Sequence, residues 1–429
     1  MTLQTIPVPA GLQTRYFILE RGALSSLPEL LNTAFPGKQP WLIADKNTWA
    51  VAGEETAKIL TAAGITCHTP HIFPGTPRLH PNYGYSVQLA CKMPQNCVPV
   101  AIGSGVINDL VKCASGIKEV PYCCVPTACS VDGYTSAGAA LSVDGFKKTV
   151  KCPAPFAVCA DVDILATAPP DMLASGYADL LTKIPAGADW IIADTLGIEP
   201  IRQDVWELIQ HPIRGWVADH QDMLNIFHGL AATGYSMQMY IDSRPASGAE
   251  HMFSHIWEME GLQKDGEEIS HGFKVGIGLI ATTILMEYII KHDIEDLKEK
   301  MVPGLPPEER LEEVQTLLVR GCYGDGPQQT AMSKFLYGDA LAERRALIIS
   351  KWKTLQERLA GQLYSFETVR KMLKDANCPT SPAEIGLDEA QFLHGIHTAQ
   401  LIRNRYTILD LLYEMGLMED ALLELRKMM

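Results

Sequence analysis

The strongest constraint on the fold is a regular alternation of short apolar runs and helical stretches over residues 1–168. The run QPWLIADKNTW predicts a strand ending at Asp45, AVAGEETAKILTAAG a helix closed by Gly64, and ITCHTPHIF a second strand. The segment CVPVAIGSGVINDLVKCASG predicts a strand, a Gly-Ser-Gly turn and a helix, and further strands are expected in VPYCCVPTACS, TSAGAALSV and KKTVKCPAPFAVCADVDIL. Strands that alternate with helices are typical of βαβ units and a mainly parallel sheet.

The pattern changes at ATAPPDML, residues 166–173. Pro169 and Pro170 stop the preceding element, and Asp171 is a residue type that caps helices. Beyond this point the apolar residues follow a helical period, with few strand-like runs. We therefore predict an α/β nucleotide-type domain over residues 1–168 and an all-α domain over residues 169–429, with a cleft between them.

Charge and composition exclude several classes of partner. The chain carries a net charge of −14, whereas nucleic-acid binding needs a basic face. The longest apolar run, residues 275–290, contains Glu287 and is shorter than the roughly 18 residues of a bilayer span, so we predict a buried helix. The N-terminus lacks a basic and apolar leader, and the 11 cysteines contain no C-x-x-C pair. These features favour reduced, buried thiols in the cytoplasm.

Two features of the first domain suggest a dinucleotide site. Gly103, Ser104 and Gly105 lie between a predicted strand and helix, where glycines allow the backbone to approach a pyrophosphate at the helix N-terminus. The third glycine of G-x-G-x-x-G is replaced by Asn108, so a simple tight turn remains an alternative. Asp45 ends a strand and could accept hydrogen bonds from an adenosine ribose, or it could be an exposed turn carboxylate.

Histidines and one acidic residue of the second domain suggest a metal site. SGAEHMFSHIWE places His251 and His255 four residues apart, on one helix face, and His271 begins another helix in SHGFKVG. Asp179 lies on an otherwise apolar helix face, where a carboxylate usually has a cation or metal beside it. Two imidazoles and a carboxylate are typical ligands of a catalytic divalent metal, although a solvated or core histidine pair is the alternative.

The chain resembles the glycerol-1-phosphate dehydrogenases, in particular their bacterial branch. AIGSGVINDLVK, VPTACSVDGYTSAGAAL, ASGYADLLTKIPAGADW, SRPASGAEHMFSHIWEM and SHGFKVGIG occur in the family's order, and the resemblance runs from Thr14 to RNRYTILDLLYEMG. The family belongs to the superfamily of 3-dehydroquinate synthase, glycerol dehydrogenase and iron-containing alcohol dehydrogenases. The resemblance implies a dehydroquinate synthase-like fold, with a Rossmann-like dinucleotide-binding domain, a helical metal- and substrate-binding domain, and the active site in the interdomain cleft.

The resemblance also implies a role for each matched residue. By this match the metal ligands are Asp179, His251 and His271, and His255 handles protons near the substrate. Asp132 matches a catalytic aspartate near the substrate and metal, and Lys148 a lysine that approaches the site. The implied cofactor-binding residues are Gly103, Ser104, Gly105, Asp109, Thr127 and Ser130, and Asp45 joins them by its place at a strand end. Dehydroquinate synthases carry Glu where Asp179 stands, which favours a dehydrogenase. The chain departs from the family's usual double glycine, because Ser104 follows Gly103 in the pyrophosphate loop.

The expected reaction is the reversible, NAD(P)-dependent reduction of dihydroxyacetone phosphate to sn-glycerol 1-phosphate. Zn²⁺, Ni²⁺ and Fe²⁺ all accept the implied ligands. Asp45 would repel a 2′-phosphate, which favours NADH. Arg244, Lys148 and Lys274 are the cations nearest in sequence to the metal motifs and could bind the substrate phosphate, with ordinary salt bridges as the alternative. Relatives suggest a dimer or larger oligomer.

Three other functions remain open from the sequence. They are a dehydrogenase of an unphosphorylated polyol such as glycerol, a cyclase like dehydroquinate synthase, and a non-catalytic NAD-binding protein. One fold hosts several chemistries, so the fold does not separate them. The Asp179, His251 and His271 set argues against the last of the three.

Overall fold

The computed structural model describes residues 4–143, 146–321, 323–324 and 326–429. Its strands are β1 (Tyr16–Glu20), β2 (Gln39–Asp45), β3 (His71–Phe73), β4 (Cys97–Gly103), β5 (Cys123–Pro126), β6 (Ala139–Val143), β7 (Phe146–Val150), β8 (Ala157–Asp161), β9 (Gln263–Lys264) and β10 (Glu267–Glu268).

The described residues form 21 α-helices. The first eleven are α1 (Leu27–Ala34), α2 (Lys46–Thr48), α3 (Glu54–Ala62), α4 (Tyr83–Lys92), α5 (Gly105–Lys118), α6 (Val162–Leu165), α7 (Pro170–Leu181), α8 (Lys183–Thr195), α9 (Gln203–Gln210), α10 (Ile213–Trp216) and α11 (Met223–Tyr240). The remaining ones are α12 (Ala249–Met259), α13 (His271–Lys291), α14 (Ile294–Leu297), α15 (Pro307–Leu317), α16 (Gly326–Ser333), α17 (Gly338–Gln362), α18 (Phe366–Asp375), α19 (Glu389–Ala399), α20 (Ile408–Met415) and α21 (Met418–Met428).

The contacts divide the chain into two compact units. Unit 1 comprises Met1–Leu180 and Arg214–Asp242, and unit 2 comprises Leu181–Ile213 and Ser243–Met429. This division differs from the boundary proposed between residues 168 and 169. Helix α11 belongs to unit 1 because it packs there on aromatic side chains: the Phe227 ring stacks 6.2 Å from Phe17 and lies 5.2 Å from Tyr134. Sequence patterns do not reveal a return of the chain to an earlier unit.

Unit 1 is built on a six-stranded parallel sheet in the order β1-β8-β5-β4-β2-β3. The predicted α/β class with a parallel sheet is confirmed. The chain passes from β2 outward to β3 and then returns to the opposite side of β2 as β4. The strand order therefore reverses between β2 and β4, and ligands of open α/β sheets bind outside the carboxyl ends of the strands at such a point. Strands β6 and β7 form a separate antiparallel ribbon.

Among its described residues, unit 2 is helical apart from the two-stranded β9–β10 hairpin. Its central helix is α13, and nearly every residue after the first turn is buried. By length and composition alone α13 could cross a membrane, but 89% of its most apolar window is buried inside the protein. Its one mid-helix carboxylate, Glu287, accepts a hydrogen bond from the Phe366 amide at 2.7 Å. The prediction of a buried core helix is confirmed.

Candidate active site

The glycine turn of unit 1 lies where the sheet meets helix α5. Gly103 ends β4, and a Cβ atom there would lie 2.6 Å from the Ile107 Cβ, so the turn closes only with glycine. Ser104 occupies the N-cap position with extended backbone, and its side chain makes no capping hydrogen bond. The first-turn amides of α5 are therefore not capped by that side chain. This arrangement fits a dinucleotide pyrophosphate, because helix N-termini favour anions.

Asp45 stands at the carboxyl end of β2, beside the point where the strand order reverses. Its Oδ1 accepts a hydrogen bond from the Thr48 amide at 2.8 Å, and the Thr48 hydroxyl lies 3.1 Å from the Asp45 amide. This capping box begins the short helix α2. One carboxylate oxygen thus has a structural contact, and the ribose contact of Asp45 remains a prediction.

The other predicted cofactor residues follow β4 and β5. The Thr127 amide donates to the Gly103 carbonyl at 3.1 Å, which joins the two strand ends, and Thr127 and Ser130 are both buried. Asp109, on the second turn of α5, accepts from the Ala140 amide at 3.1 Å and pairs with the buried Lys112 at 3.3 Å. The carboxylate of Asp109 thereby ties the β6–β7 ribbon to α5.

Helix α7 presents Asp179 next to the segment that follows β5. A Cβ at Gly176 would lie 1.6 Å from the Cys129 carbonyl oxygen, so the helix backbone packs directly on that segment. One turn later Asp179 is fully buried, and its Oδ2 accepts a hydrogen bond from the Asp132 amide at 2.9 Å. The sequence analysis predicted Asp132 as a catalytic residue and Asp179 as a metal ligand, and the hydrogen bond between them brings them together within unit 1.

Helix α12 of unit 2 carries His251 and, immediately before it, Glu250. Both side chains are buried, and Glu250 Oε1 lies 2.9 Å from His251 Nδ1. The same oxygen accepts a hydrogen bond from the Gly248 amide at 2.6 Å. A carboxylate on Nδ1 favours the proton there, which leaves Nε2 of His251 as the ring's lone-pair donor.

The start of α12 is fixed by a carboxylate from α8. Asp189 Oδ2 accepts from the Ala249 amide at 2.7 Å, and Oδ1 accepts from the Ile408 amide at 2.7 Å. One side chain therefore caps the N-termini of both α12 and α20. Burial, together with the charge of nearby Glu250, raises the pKa of Asp189 to about 7.

Helix α13 begins at His271, after the N-cap residue Ser270. A Cβ at Gly278 would lie 2.5 Å from the Glu250 carbonyl oxygen, so α13 approaches the backbone of α12 closely. As a result the rings of His251 and His271 lie 5.3 Å apart between centroids. Both histidines belong to unit 2, and the structure brings together there the two imidazoles that were predicted as metal ligands.

Besides Glu250, the sequence analysis missed a second residue of this site, Glu258. Its carboxylate lies 2.7 Å from Lys274 Nζ, 3.5 Å from His255 Nδ1 and 3.7 Å from His271 Nδ1. It thus lies beside three predicted site residues. His255 was predicted for proton transfer, His271 for metal binding and Lys274 for substrate binding. Glu258 stands three residues after His255, one helical turn along, and that spacing is a signal that could have revealed it.

The predicted phosphate-binding cations have different surroundings. Arg244 is 1% exposed, and it donates to the Tyr406 carbonyl at 3.1 Å and the Asp189 carbonyl at 3.0 Å. Its Nε lies 3.2 Å from Glu199 Oε2. These contacts argue against the predicted phosphate contact and favour a structural role for Arg244. Lys148 is exposed on β7.

The described residues contain metal-binding residue types at the three predicted ligand positions, Asp179 in unit 1 and His251 and His271 in unit 2. Each offers one ligand atom, a carboxylate oxygen or an imidazole nitrogen. Asp179 and His251 are buried and His271 is half-buried. Two imidazoles with one carboxylate fit Zn²⁺, Ni²⁺ or Fe²⁺, and three protein ligands leave room for a substrate at the metal.

Comparisons with known proteins agree with this fold. Residues 18–169 match the family described as iron-containing alcohol dehydrogenase. Among solved structures, the chain is similar to an iron-containing alcohol dehydrogenase from Thermococcus thioreducens, with a TM-score of 0.56 and 14% identity over 97% of this chain and 99% of that chain. At this level of identity the likeness shows the fold, which is that of the iron-containing alcohol dehydrogenases.

Two relatives named glycerol-1-phosphate dehydrogenase (NAD(P)+) show the family. The protein from Geobacillus thermodenitrificans is 31% identical over 332 residues, which cover 75% of this chain and 72% of the relative. The protein from Halalkalibacterium halodurans is 32% identical over 295 residues, which cover 66% of this chain and 74% of the relative. The chain belongs to the glycerol-1-phosphate dehydrogenase family.

Proposed function

We propose that the protein catalyses the reversible, NAD(P)-dependent reduction of dihydroxyacetone phosphate to sn-glycerol 1-phosphate with one divalent metal ion. The observation that carries this proposal is the pair of neighbouring imidazoles of His251 and His271 in unit 2, 5.3 Å apart between ring centroids, in a member of this family. The parallel sheet supports it, because a glycine turn and Asp45 flank the point where the strand order reverses.

Each group of residues has one task in the proposed reaction. A bound divalent ion supplies Lewis-acid stabilisation of negative charge at the C2 oxygen, and a bound nicotinamide supplies the hydride. Asp179, His251 and His271 hold the metal ion. His255 delivers or removes the proton of the C2 hydroxyl, since the unperturbed pKa of histidine, about 6.5, lies near neutral pH. Asp132 lies near the substrate, beside Asp179.

The cofactor residues hold the dinucleotide at the carboxyl edge of the sheet. Gly103, Ser104 and Gly105 bind the pyrophosphate with backbone amides, and Asp45 binds the adenosine ribose and disfavours NADPH. We assign Asp109, Thr127 and Ser130 to the lining of the cofactor site.

Lys148 and Lys274 are the proposed cations for the substrate phosphate. Lys274 already pairs with Glu258 at 2.7 Å, which fixes its ammonium group in a nearly buried position. Lys148 is exposed and free of that constraint on its orientation. Arg244 is omitted from this proposal because its guanidinium is held by main-chain carbonyls and Glu199.

We also propose a cytoplasmic enzyme that uses Zn²⁺ or Ni²⁺, with Fe²⁺ as a third candidate, and that forms a homodimer. The ten cysteines among the described residues are free thiols, and most are buried, which suits a reducing compartment. Metal analysis of the purified protein identifies the ion, and sedimentation gives the oligomeric state.

The test of the function combines metal analysis with an assay of NADH oxidation. Dihydroxyacetone phosphate should be reduced with loss of NADH, and the product should be the sn-1 rather than the sn-3 phosphate. Asp179→Ala and His271→Ala should lose bound metal and turnover while the far-ultraviolet circular dichroism stays unchanged. Faster reduction of dihydroxyacetone would instead identify a polyol dehydrogenase, and turnover without net change in NADH would indicate a cyclase.

A further inference from the structure

Helix α12 contains two acidic residues, Glu250 and Glu258. Each faces the Nδ1 atom of one candidate metal-ligand histidine. Glu250 Oε1 lies 2.9 Å from Nδ1 of His251, and Glu258 Oε1 lies 3.7 Å from Nδ1 of His271. In both cases Nδ1 is the ring nitrogen nearer to the carboxylate, but only the first distance is that of a hydrogen bond. The two acidic residues are eight positions apart on α12, which is about two helical turns.

The position of Glu250 is fixed from several sides. It is fully buried, and its Oε1 accepts the Gly248 amide at 2.6 Å. A Cβ at Gly248 would lie 2.8 Å from Glu250 Oε2, and a Cβ at Gly278 of α13 would lie 2.5 Å from the Glu250 carbonyl oxygen. Glycines at both places let the backbone close around this carboxylate, so the Glu250 side chain has little freedom to leave Nδ1.

Glu258 has a less enclosed position and a wider set of contacts. Its side chain is 9% exposed, and Lys274 Nζ lies 2.7 Å from the carboxylate that faces His271. Lys274 stands three residues after His271, on the first turn of α13. The ammonium therefore holds Glu258 against the start of α13, where the His271 ring is.

We infer that Glu250 and Glu258 are positioning residues that orient His251 and His271 for metal binding through Nε2. The inference rests on the proposed metal site and goes beyond its three ligands. The hydrogen bond between Nδ1 of His251 and Glu250 selects the tautomer with its proton on Nδ1, keeps the Nε2 lone pair available and increases the basicity of the ring. The Glu258 carboxylate lies beyond hydrogen-bond distance of Nδ1 of His271, and its negative charge favours the same tautomer by attracting the Nδ1–H dipole. Both carboxylates come from α12, so this one helix supplies one ligand and the orienting group of each histidine.

The test measures metal affinity rather than turnover. Metal-free wild type, Glu250→Leu and Glu250→Gln are titrated with Zn²⁺ in competition with a chromophoric chelator. Glu250→Leu should weaken Zn²⁺ binding roughly 10- to 100-fold, the usual effect of removing such a partner. Glu250→Gln should restore most of the affinity, because its amide oxygen can still accept from Nδ1–H. Absorption bands of the Co²⁺-loaded protein should shift in the Leu variant and return towards wild type in the Gln variant.

Glu258 gives a second pair of variants at a less buried position, which guards against a folding defect at Glu250. Glu258→Leu should weaken Zn²⁺ binding, and Glu258→Gln should weaken it less. The matched control is Glu260→Gln, since Glu260 contacts His394 Nε2 at 2.9 Å in the same kind of pair but faces no proposed ligand. Its Zn²⁺ affinity should equal that of wild type.

The outcomes separate this inference from the function on which it rests. Wild type that binds no divalent metal would overturn the metal site and the inference together. Wild type that binds Zn²⁺ with the same affinity as folded Glu250→Leu and Glu258→Leu would leave the metal site in place and overturn the positioning roles.

Discussion

Arg244 illustrates how burial changes the role of a cation that lies close in sequence to a ligand helix. Its guanidinium contacts two main-chain carbonyls and Glu199 and is almost inaccessible to solvent. Removing one partner of a buried charged network leaves the others unsatisfied. We therefore expect Arg244→Ala to lower the free energy of unfolding by roughly 3–5 kcal/mol.

The kinetic effect of Arg244→Ala distinguishes this structural role from a phosphate contact. The Michaelis constants for dihydroxyacetone phosphate and for dihydroxyacetone should change by the same factor, because neither substrate touches the guanidinium. Kinetics with both substrates, together with urea denaturation, check the prediction. A rise confined to the phosphorylated substrate would restore the phosphate role suggested by the sequence.

Asp45 has two functions that a single alanine substitution would mix. The carboxylate caps α2 through the Thr48 amide, and it is proposed to bind the ribose and repel a 2′-phosphate. Asp45→Asn keeps a capping oxygen and removes the charge, so it should improve the use of NADPH relative to NADH with little loss of stability. Asp45→Ala should show the same change in preference and also lose about 1 kcal/mol of stability from the missing cap. An unchanged cofactor preference in both variants would place Asp45 outside the cofactor site.

At the scale of elements, the placement of α7 depends on a glycine. A Cβ at Gly176 would lie 1.6 Å from the Cys129 carbonyl oxygen, a distance that no side chain can occupy. Gly176→Ala should push α7 away from this segment, break the hydrogen bond from the Asp132 amide to Asp179, and abolish metal binding. Metal content and thermal unfolding of the variant provide the measurement.

Gly361→Ala is the matched control for that substitution. Gly361 is exposed on α17, and a Cβ there would meet nothing within 4 Å. Alanine at an exposed helix position should raise stability by up to about 1 kcal/mol and leave metal binding unchanged. If Gly176→Ala behaved like Gly361→Ala, the close packing of α7 would not be what fixes Asp179.

Elements with a strong local pattern were predictable from the sequence. The strand ending at Asp45 and the strand, turn and helix around Gly103 occur as expected, since both depend on short-range periodicity and glycine spacing. The predicted strand ITCHTPHIF shrinks to His71–Phe73, and a π-helical turn, Trp49–Gly53, stands between α2 and α3. Periodicity does not show where ladder partners end or where a turn widens.

Contacts between distant elements were not predictable from single segments. Glu258 acquires its contact with Lys274 only when α12 and α13 pack together, and neither helix reveals that contact by itself. Arg244 was predicted to bind the substrate phosphate because its partners Tyr406 and Asp189 are far away in sequence and could not be recognised there. The candidate ligands could be named because residue type and the family motif are visible in the sequence, whereas their orienting partners depend on packing.

For the whole molecule, a buried carboxyl of unit 2 makes stability depend on pH. Burial raises the pKa of Glu414 from its ordinary value of 4.5 to about 7, although the Tyr406 hydroxyl and Arg344 both contact the group. The folded protein therefore binds this proton more tightly than the unfolded chain. The resulting stability is present at low pH and is lost as the pH rises towards 7.

Glu414→Gln removes this titration and keeps the shape of the side chain. Between about pH 8 and about pH 5, wild type should gain roughly 2–3 kcal/mol of unfolding free energy relative to the variant, from 1.36 kcal/mol per unit of pKa difference. Urea denaturation of both proteins across this range measures the difference. Parallel stability curves would show that Glu414 ionises normally in the folded protein.

The shared cap at Asp189 links the beginning of the ligand helix to a distant part of the chain. The same carboxylate holds the amide of Ala249 at the start of α12 and the amide of Ile408 at the start of α20. Proteolytic clipping before α20 would therefore release the Ile408 amide, one of the two donors that keep Asp189 in place. The other donor is the amide of Ala249, which stands two residues before His251. Metal content in a purified sample should consequently follow the integrity of the C-terminal segment, so intact mass should be verified before any low occupancy is attributed to the ligands themselves.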